Sequence, residues 1–190
     1  MLFPCRKFCP FGVVFCFMLL TLCSAGQNPA ARPSFIQPTL RELIQQSGFI
    51  FAGTVTKVES APANAGPVAA LRITFRVEQA ILGVREGEVF EVREWAGLWN
   101  FGEHYRVGEH VVLFLYPPSR LGLTSPVGGA SGRFCVTSEK QVLLDSTRAG
   151  VIRTLRSVDL MQPTTQVPAT EFVRAIRGEL REQSRGRDAR

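Results

Sequence analysis

Histidine is nearly absent from this chain: His104 and His110 are the only imidazoles in 190 residues. A zinc site built from three or four converging imidazoles is therefore excluded, and any metal centre would have to recruit carboxylates such as Glu103 or Glu109. Cysteine is scarcer than its count of five suggests. Cys5, Cys9, Cys16 and Cys23 all precede residue 26, so the remainder holds Cys135 alone and cannot close an internal disulfide. A buried small hydrophobe is the ordinary role for such a residue, because a nucleophile would need an imidazole and an orienting group beside it. The phosphate-cradling Gly-x-x-x-x-Gly-Lys loop is missing. Ser131 does not sit in a Gly-x-Ser-x-Gly elbow either, since Arg133 takes the last position. No cofactor is implied by any of these patterns, and no catalytic constellation emerges. The net charge of +6 is not gathered into a stripe. The one dense basic region, Arg174 to Arg190, is interleaved with Glu171, Glu179, Glu182 and Asp188, which argues against nucleic-acid binding.

The apolar stretch from Phe11 to Leu22 follows Arg6 and Lys7 and precedes Ser24, Ala25 and Gly26. That order is the n-region, h-region and cleavage site of a secretory signal peptide, with cleavage expected after Ala25. The stretch is shorter than the roughly 20 residues of a spanning helix. The expected product is exported, periplasmic or extracellular, and meets the membrane only through the leader or through a lipid on Cys23, which Leu20 precedes at the proper distance.

Twelve Pro and 17 Gly are too many for a helix bundle. Residues 26 to 38 read as a linker, and Thr39-Leu40-Arg41-Glu42 as a capping box that opens a short helix with Leu40, Leu43 and Ile44 on one face. A β-branched and aromatic strand follows from Phe49, with Gly53 inside it marking a bulge or a sharp bend. Leu71, Ile73, Phe75 and Val77 then alternate with Arg72, Thr74, Arg76 and Glu78, the clearest period-two pattern in the chain. The next strand runs from Glu88 to Trp95 with Phe90 and Val92 inward. A two-residue turn at Gly83-Val84 would set Val77 opposite Phe90 and Arg76 opposite Glu91. His110 to Tyr116 reads as a central strand, and Arg133–Val136 with Gln141–Leu144 as a hairpin. Short sequential strands and a bend-forming glycine predict a mainly β chain built on a small antiparallel barrel over residues 39–145. Residues 146–169 form a linker or irregular segment, and 170–190 a C-terminal helix and tail whose Phe172, Val173, Ile176 and Leu180 share a face.

Three stretches carry a resemblance: Ser47 to Val55, Phe75 to Gly83, and Tyr105 to Phe114. Together they are similar to exported bacterial proteins of the netrin/TIMP-type OB-fold, over roughly residues 39 to 136. The resemblance implies an OB-like barrel. It also raises extracellular peptidase inhibition as a function, but TIMP-like inhibitors present a mature N-terminal cysteine to the target's zinc, and cleavage after Ala25 leaves Gly26 first.

The most distinctive local feature is Trp95-Ala96-Gly97-Leu98-Trp99-Asn100-Phe101, with Tyr105 close behind, which places both tryptophans in one loop. Trp95, Trp99, Phe101 and Tyr105 are the candidate ligand-binding residues, able to stack on sugars or peptide side chains; the same aromatics could instead pack as a lid over the barrel end. The expected function is a non-enzymatic binding module for an extracytoplasmic protein or glycan. The competing reading is a metal-binding protein or metal-dependent hydrolase centred on His104 and His110.

Overall fold

The computed structural model describes residues 37–61, 68–100, 104–145, 151 and 164–188. The leader, its cleavage site, Cys23, Phe101 and Glu103 lie outside them. Helix α1 (Leu40–Gln46) opens with both halves of the capping box: Glu42 N–H donates to Thr39 Oγ1, and the Glu42 carboxylate accepts from the Thr39 backbone at 2.7 Å. That contact, together with the hydroxyl of Thr39, holds the Glu42 carboxyl below its ordinary pKa. Leu40, Leu43 and Ile44 are the buried face of the helix.

Among the described residues seven strands follow: β1 (Phe49–Ser60), β2 (Ala70–Leu82), β3 (Val89–Trp95), β4 (His110–Leu115), β5 (Arg133–Val136), β6 (Gln141–Asp145) and β7 (Thr164–Pro168). They form one sheet in the order β3-β2-β1-β4-β5-β6-β7, every neighbouring pair antiparallel. Helix α2 (Ala169–Asp188) continues directly from β7, and its first backbone N–H reaches the Lys140 carbonyl at 2.9 Å. Among the described residues no helix is long and apolar enough to cross a membrane.

The expected barrel does not form, and the OB-like architecture implied by the resemblance falls with it: the sheet is open, with β3 at one edge and β7 at the other. A barrel needs its edge strands to pair. Here the outer side of β5 is taken by β6, and that of β6 by β7, a strand formed at 164–168 within a stretch expected to be a linker. Helices cover one face of the sheet instead. Leu40, Leu43 and Ile44 of α1 and Phe172 and Ile176 of α2 pack on Ile50, Val112, Phe114 and Phe134. The opposite parity, Phe51, Val55, Phe75, Val77, Val111 and Leu113, builds a second cluster on the other face. β4 is the central strand in consequence: Val111 to Leu115 are fully buried on both sides.

Gly53 marks a bulge. The pairing jumps from Ala52↔Gln79 to Gly53↔Val77, and a Cβ on Gly53 would lie 2.5 Å from the Arg76 carbonyl oxygen. The β2–β3 register also differs from the two-residue turn expected at Gly83-Val84. Phe75 faces Phe90 and Thr74 faces Glu91, two residues away from that expectation, because the connection extends to Glu88 and is closed by Gly87 N–H on the Val77 carbonyl at 2.9 Å. A slip of two preserves the face on which every side chain lies, so Val92 still points into the core.

Candidate functional site

β3 separates two neighbours by the parity of its strand. Glu94 lies two positions after Val92 and is carried to the same inward face, where it is only 3% exposed; Trp95, one residue on, is turned out and 48% exposed. Two distinct polar and aromatic assemblies result.

The inner assembly joins β3, the turn before β4, and β5. Tyr105 O–H donates to Glu94 Oε1 at 3.1 Å, and its ring lies edge-on to Phe75. The Arg133 guanidinium sits 4.4 Å from the Tyr105 ring centroid and uses Nη2 on both Glu109 carboxylate oxygens, at 2.7 and 2.8 Å, and on the His104 carbonyl at 3.1 Å. Cys135, on the same strand as Arg133, donates its thiol to Glu109 Oε1 at 3.4 Å. Burial pushes the Glu94 carboxyl up to about 7, against the opposing pull of the Tyr105 hydrogen bond and the Arg133 charge. Burial, and then the neighbouring Glu94, raise the Tyr105 phenol well above its ordinary value. For Arg133 burial opposes the cation, and the bond to Glu109 more than offsets it. The core of this network, Glu94, Tyr105 and Arg133, is closed to solvent, so it braces the sheet rather than meeting a substrate.

The outer assembly is a groove of about 390 Å³ beside β3, lined by Trp95, Leu98, Tyr116, Pro117 and Leu123. Trp95 folds back over the tight turn Ala96–Asn100, where Gly97 leaves room for it: a Cβ there would come within 2.6 Å of indole Cε2. One face of the indole is thus seated on the turn. Beside it Leu98 is 39% exposed, and Leu121, in the loop after β4, is 50% exposed. Of the hydroxyls that line it, Thr124 Oγ1 donates to the Tyr116 carbonyl at 2.6 Å and Ser119 Oγ accepts from Leu123 N–H at 3.2 Å. The loop's backbone is bound as well, Thr124 N–H to the Arg93 carbonyl and Tyr116 N–H to the Ser125 carbonyl, at 2.8 and 3.1 Å.

The four aromatics singled out in the sequence therefore part company. Trp95 is on the surface and Tyr105 is in the core at 5% exposure. Trp99 lies in the turn with its side chain outside the described residues, as is the whole of Phe101. The metal reading finds no converging set: among the described residues no three His, Cys, Asp or Glu side chains are placed to hold an ion. His110 Nδ1 lies 3.1 Å from Thr54 Oγ1 and 3.6 Å from Glu78 Oε1, with Thr54 also donating to Glu78, whereas His104 offers its carbonyl to Arg133.

Glu94 and Arg133 were not foreseen as partners. Strand parity with Phe90 and Val92 was the available signal for Glu94; nothing local points from β3 to β5. Comparison with protein-family models, curated proteins and solved structures finds no significant match. The resemblance to the netrin/TIMP type gains no support there.

Proposed function

We propose that this chain is an exported, non-enzymatic interaction module whose Trp95 groove captures an apolar side chain of a partner polypeptide. The observation that carries the reading is the half-exposed indole of Trp95, seated on Gly97 and flanked by Leu98, Tyr116 and Leu123. A preseated aromatic loses little freedom when a partner covers it, which is what makes such residues binding hot spots. A polypeptide suits the groove better than a glycan. Sugar recognition needs stacking together with several available hydrogen-bonding groups, and here the lining is mostly apolar or aromatic, Trp95, Leu98, Tyr116, Pro117 and Leu123, with the Thr124 hydroxyl already donated to the Tyr116 carbonyl.

Selection of random peptides displayed on phage against the purified protein, run beside a glycan array, tests the proposal. Enrichment of peptides with a shared apolar anchor is expected, with affinity at least ~10-fold weaker for Trp95→Ala at unchanged thermal stability. Glycan binding that depends on Trp95, or peptide binding indifferent to it, would refute the reading.

A further inference from the structure

A second groove, of about 700 Å³, runs between β2 and α2 on a part of the surface distinct from Trp95. Its polar lining is Gln79 from β2 and Thr170, Arg174, Arg177 and Arg181 from α2, with no acid among the described residues that line it. At 100° per residue, Thr170 and the three arginines fall within about 60° of the helix circumference, and Arg174 to Arg181 spans about 10 Å of its axis. At the same 100° per residue Glu171, Glu179 and Glu182 fall outside that arc, whereas Asp188 falls within it about 10 Å beyond Arg181 along the axis. Glu179 and Glu182 reach Arg41 of α1 at 2.8 and 3.8 Å, and neither Glu171 nor Glu182 lines the groove.

Like charges three and four residues apart repel one another on a helix. A sequence that interleaves Arg and Glu along α2 could have relieved that repulsion locally, yet helical periodicity puts Glu171, Glu179 and Glu182 on a different side from the arginine row. Two backbone contacts aim the arginines: Arg177 Nη2 reaches the Ala80 carbonyl at 3.2 Å, and Arg181 Nε reaches the Arg177 carbonyl at 3.2 Å. Each contact uses one nitrogen of a guanidinium that carries five N–H donors, in a planar fork matched to the oxygens of a phosphate group. We infer that this groove is a binding site for a ligand with clustered phosphate groups, which bridge the arginine row and take a further hydrogen bond from Gln79 or Thr170. A single monovalent anion would neutralise one position of the row; linked phosphates meet two or three at once.

Isothermal titration of the purified protein with pyrophosphate and tripolyphosphate, at low salt and at 150 mM salt, provides the test, with co-sedimentation on phosphatidylglycerol vesicles as a second arm. Saturable binding is expected, tighter for tripolyphosphate than for pyrophosphate, weakened by salt. It should fall at least ~10-fold in Arg174→Gln/Arg181→Gln, a variant that spares the Arg177 contact to β2. Binding of both the soluble anions and the vesicles, lost together in the variant, assigns a lipid headgroup as one source of the phosphate; binding of the soluble anions alone assigns a free phosphorylated ligand. Absence of binding in both arms, binding unchanged in the variant, or preference for poly-glutamate over tripolyphosphate would overturn the inference. Trp95→Ala should leave the phosphate titration unchanged, which keeps this site's failure separable from that of the peptide groove.

Discussion

Replacing Glu94 by Gln should remove a pH dependence that the fold has built into its own stability. The carboxyl is 3% exposed, accepts from Tyr105 O–H at 3.1 Å, and is raised from 4.5 to about 7, mainly by burial. Between pH 4.5 and 7 the folded chain therefore holds one proton that the unfolded chain has released. Stability is highest below the unfolded value and is lost as pH rises through the folded one. Each pH unit of that window is worth 1.36 kcal/mol, so the native state loses roughly 3 kcal/mol between its acid limit and neutrality. A glutamine keeps a carbonyl oxygen for the Tyr105 hydroxyl but cannot ionise. Urea unfolding of the wild type and of Glu94→Gln at pH 5, 6, 7 and 8 reads the effect as a difference between the two proteins, in which the contributions of all other titrating groups cancel. The variant should be about as stable as the wild type or slightly less so at pH 5, and should overtake it by about 2 kcal/mol at pH 8. A difference that stays constant across the series would show that Glu94 is ionised in the folded protein at pH 5, and would refute the argument from burial.

Gly53→Val should cost more than the ~1 kcal/mol of an average point mutation, because its Cβ would press on the Arg76 carbonyl oxygen at the bulge; a shifted urea midpoint reports it, and an unchanged one would mean that the strand can relax. Gly97→Ala should dislodge the Trp95 indole from its turn, shifting tryptophan emission and weakening peptide capture as Trp95→Ala does; an unaltered spectrum and affinity would show that the seat is unimportant. Arg133→Lys keeps the charge but loses the planar guanidinium 4.4 Å from the Tyr105 ring centroid. It should therefore destabilise by about 1–3 kcal/mol in thermal or urea unfolding, while an unchanged stability would mean that a point charge suffices.

Local chemistry was open to reading. The Thr39–Glu42 capping box, the alternation along β2, the apolar run of β4 and the β5–β6 hairpin each depend on contacts between near neighbours or on a period of two, and a linear pattern records both. The inward Glu94 was also within reach, because parity with Val92 places it, although a charged residue invites the opposite assignment. Closure of the sheet was not legible. It depends on whether β3 meets a strand from the far edge, and that edge was carried away by β6 and by a five-residue strand at 164–168 with little periodicity of its own. The separation of Trp95 from Tyr105 was beyond local pattern for a related reason. Both are amphipathic rings in one stretch of chain, and only the approach of Arg133 from β5 and Phe75 from β2 gives Tyr105 a buried place, while Gly97 lets Trp95 lie outside. β7 apart, sequence by itself determined the strands and helices and most of their inward and outward faces, since these follow from backbone geometry repeated every two or four residues; tertiary structure alone decided that 164–168 becomes a strand and which faces meet, because the partners compete across tens of residues and the winner is the arrangement that leaves the least apolar surface and the fewest buried polar groups unpaired.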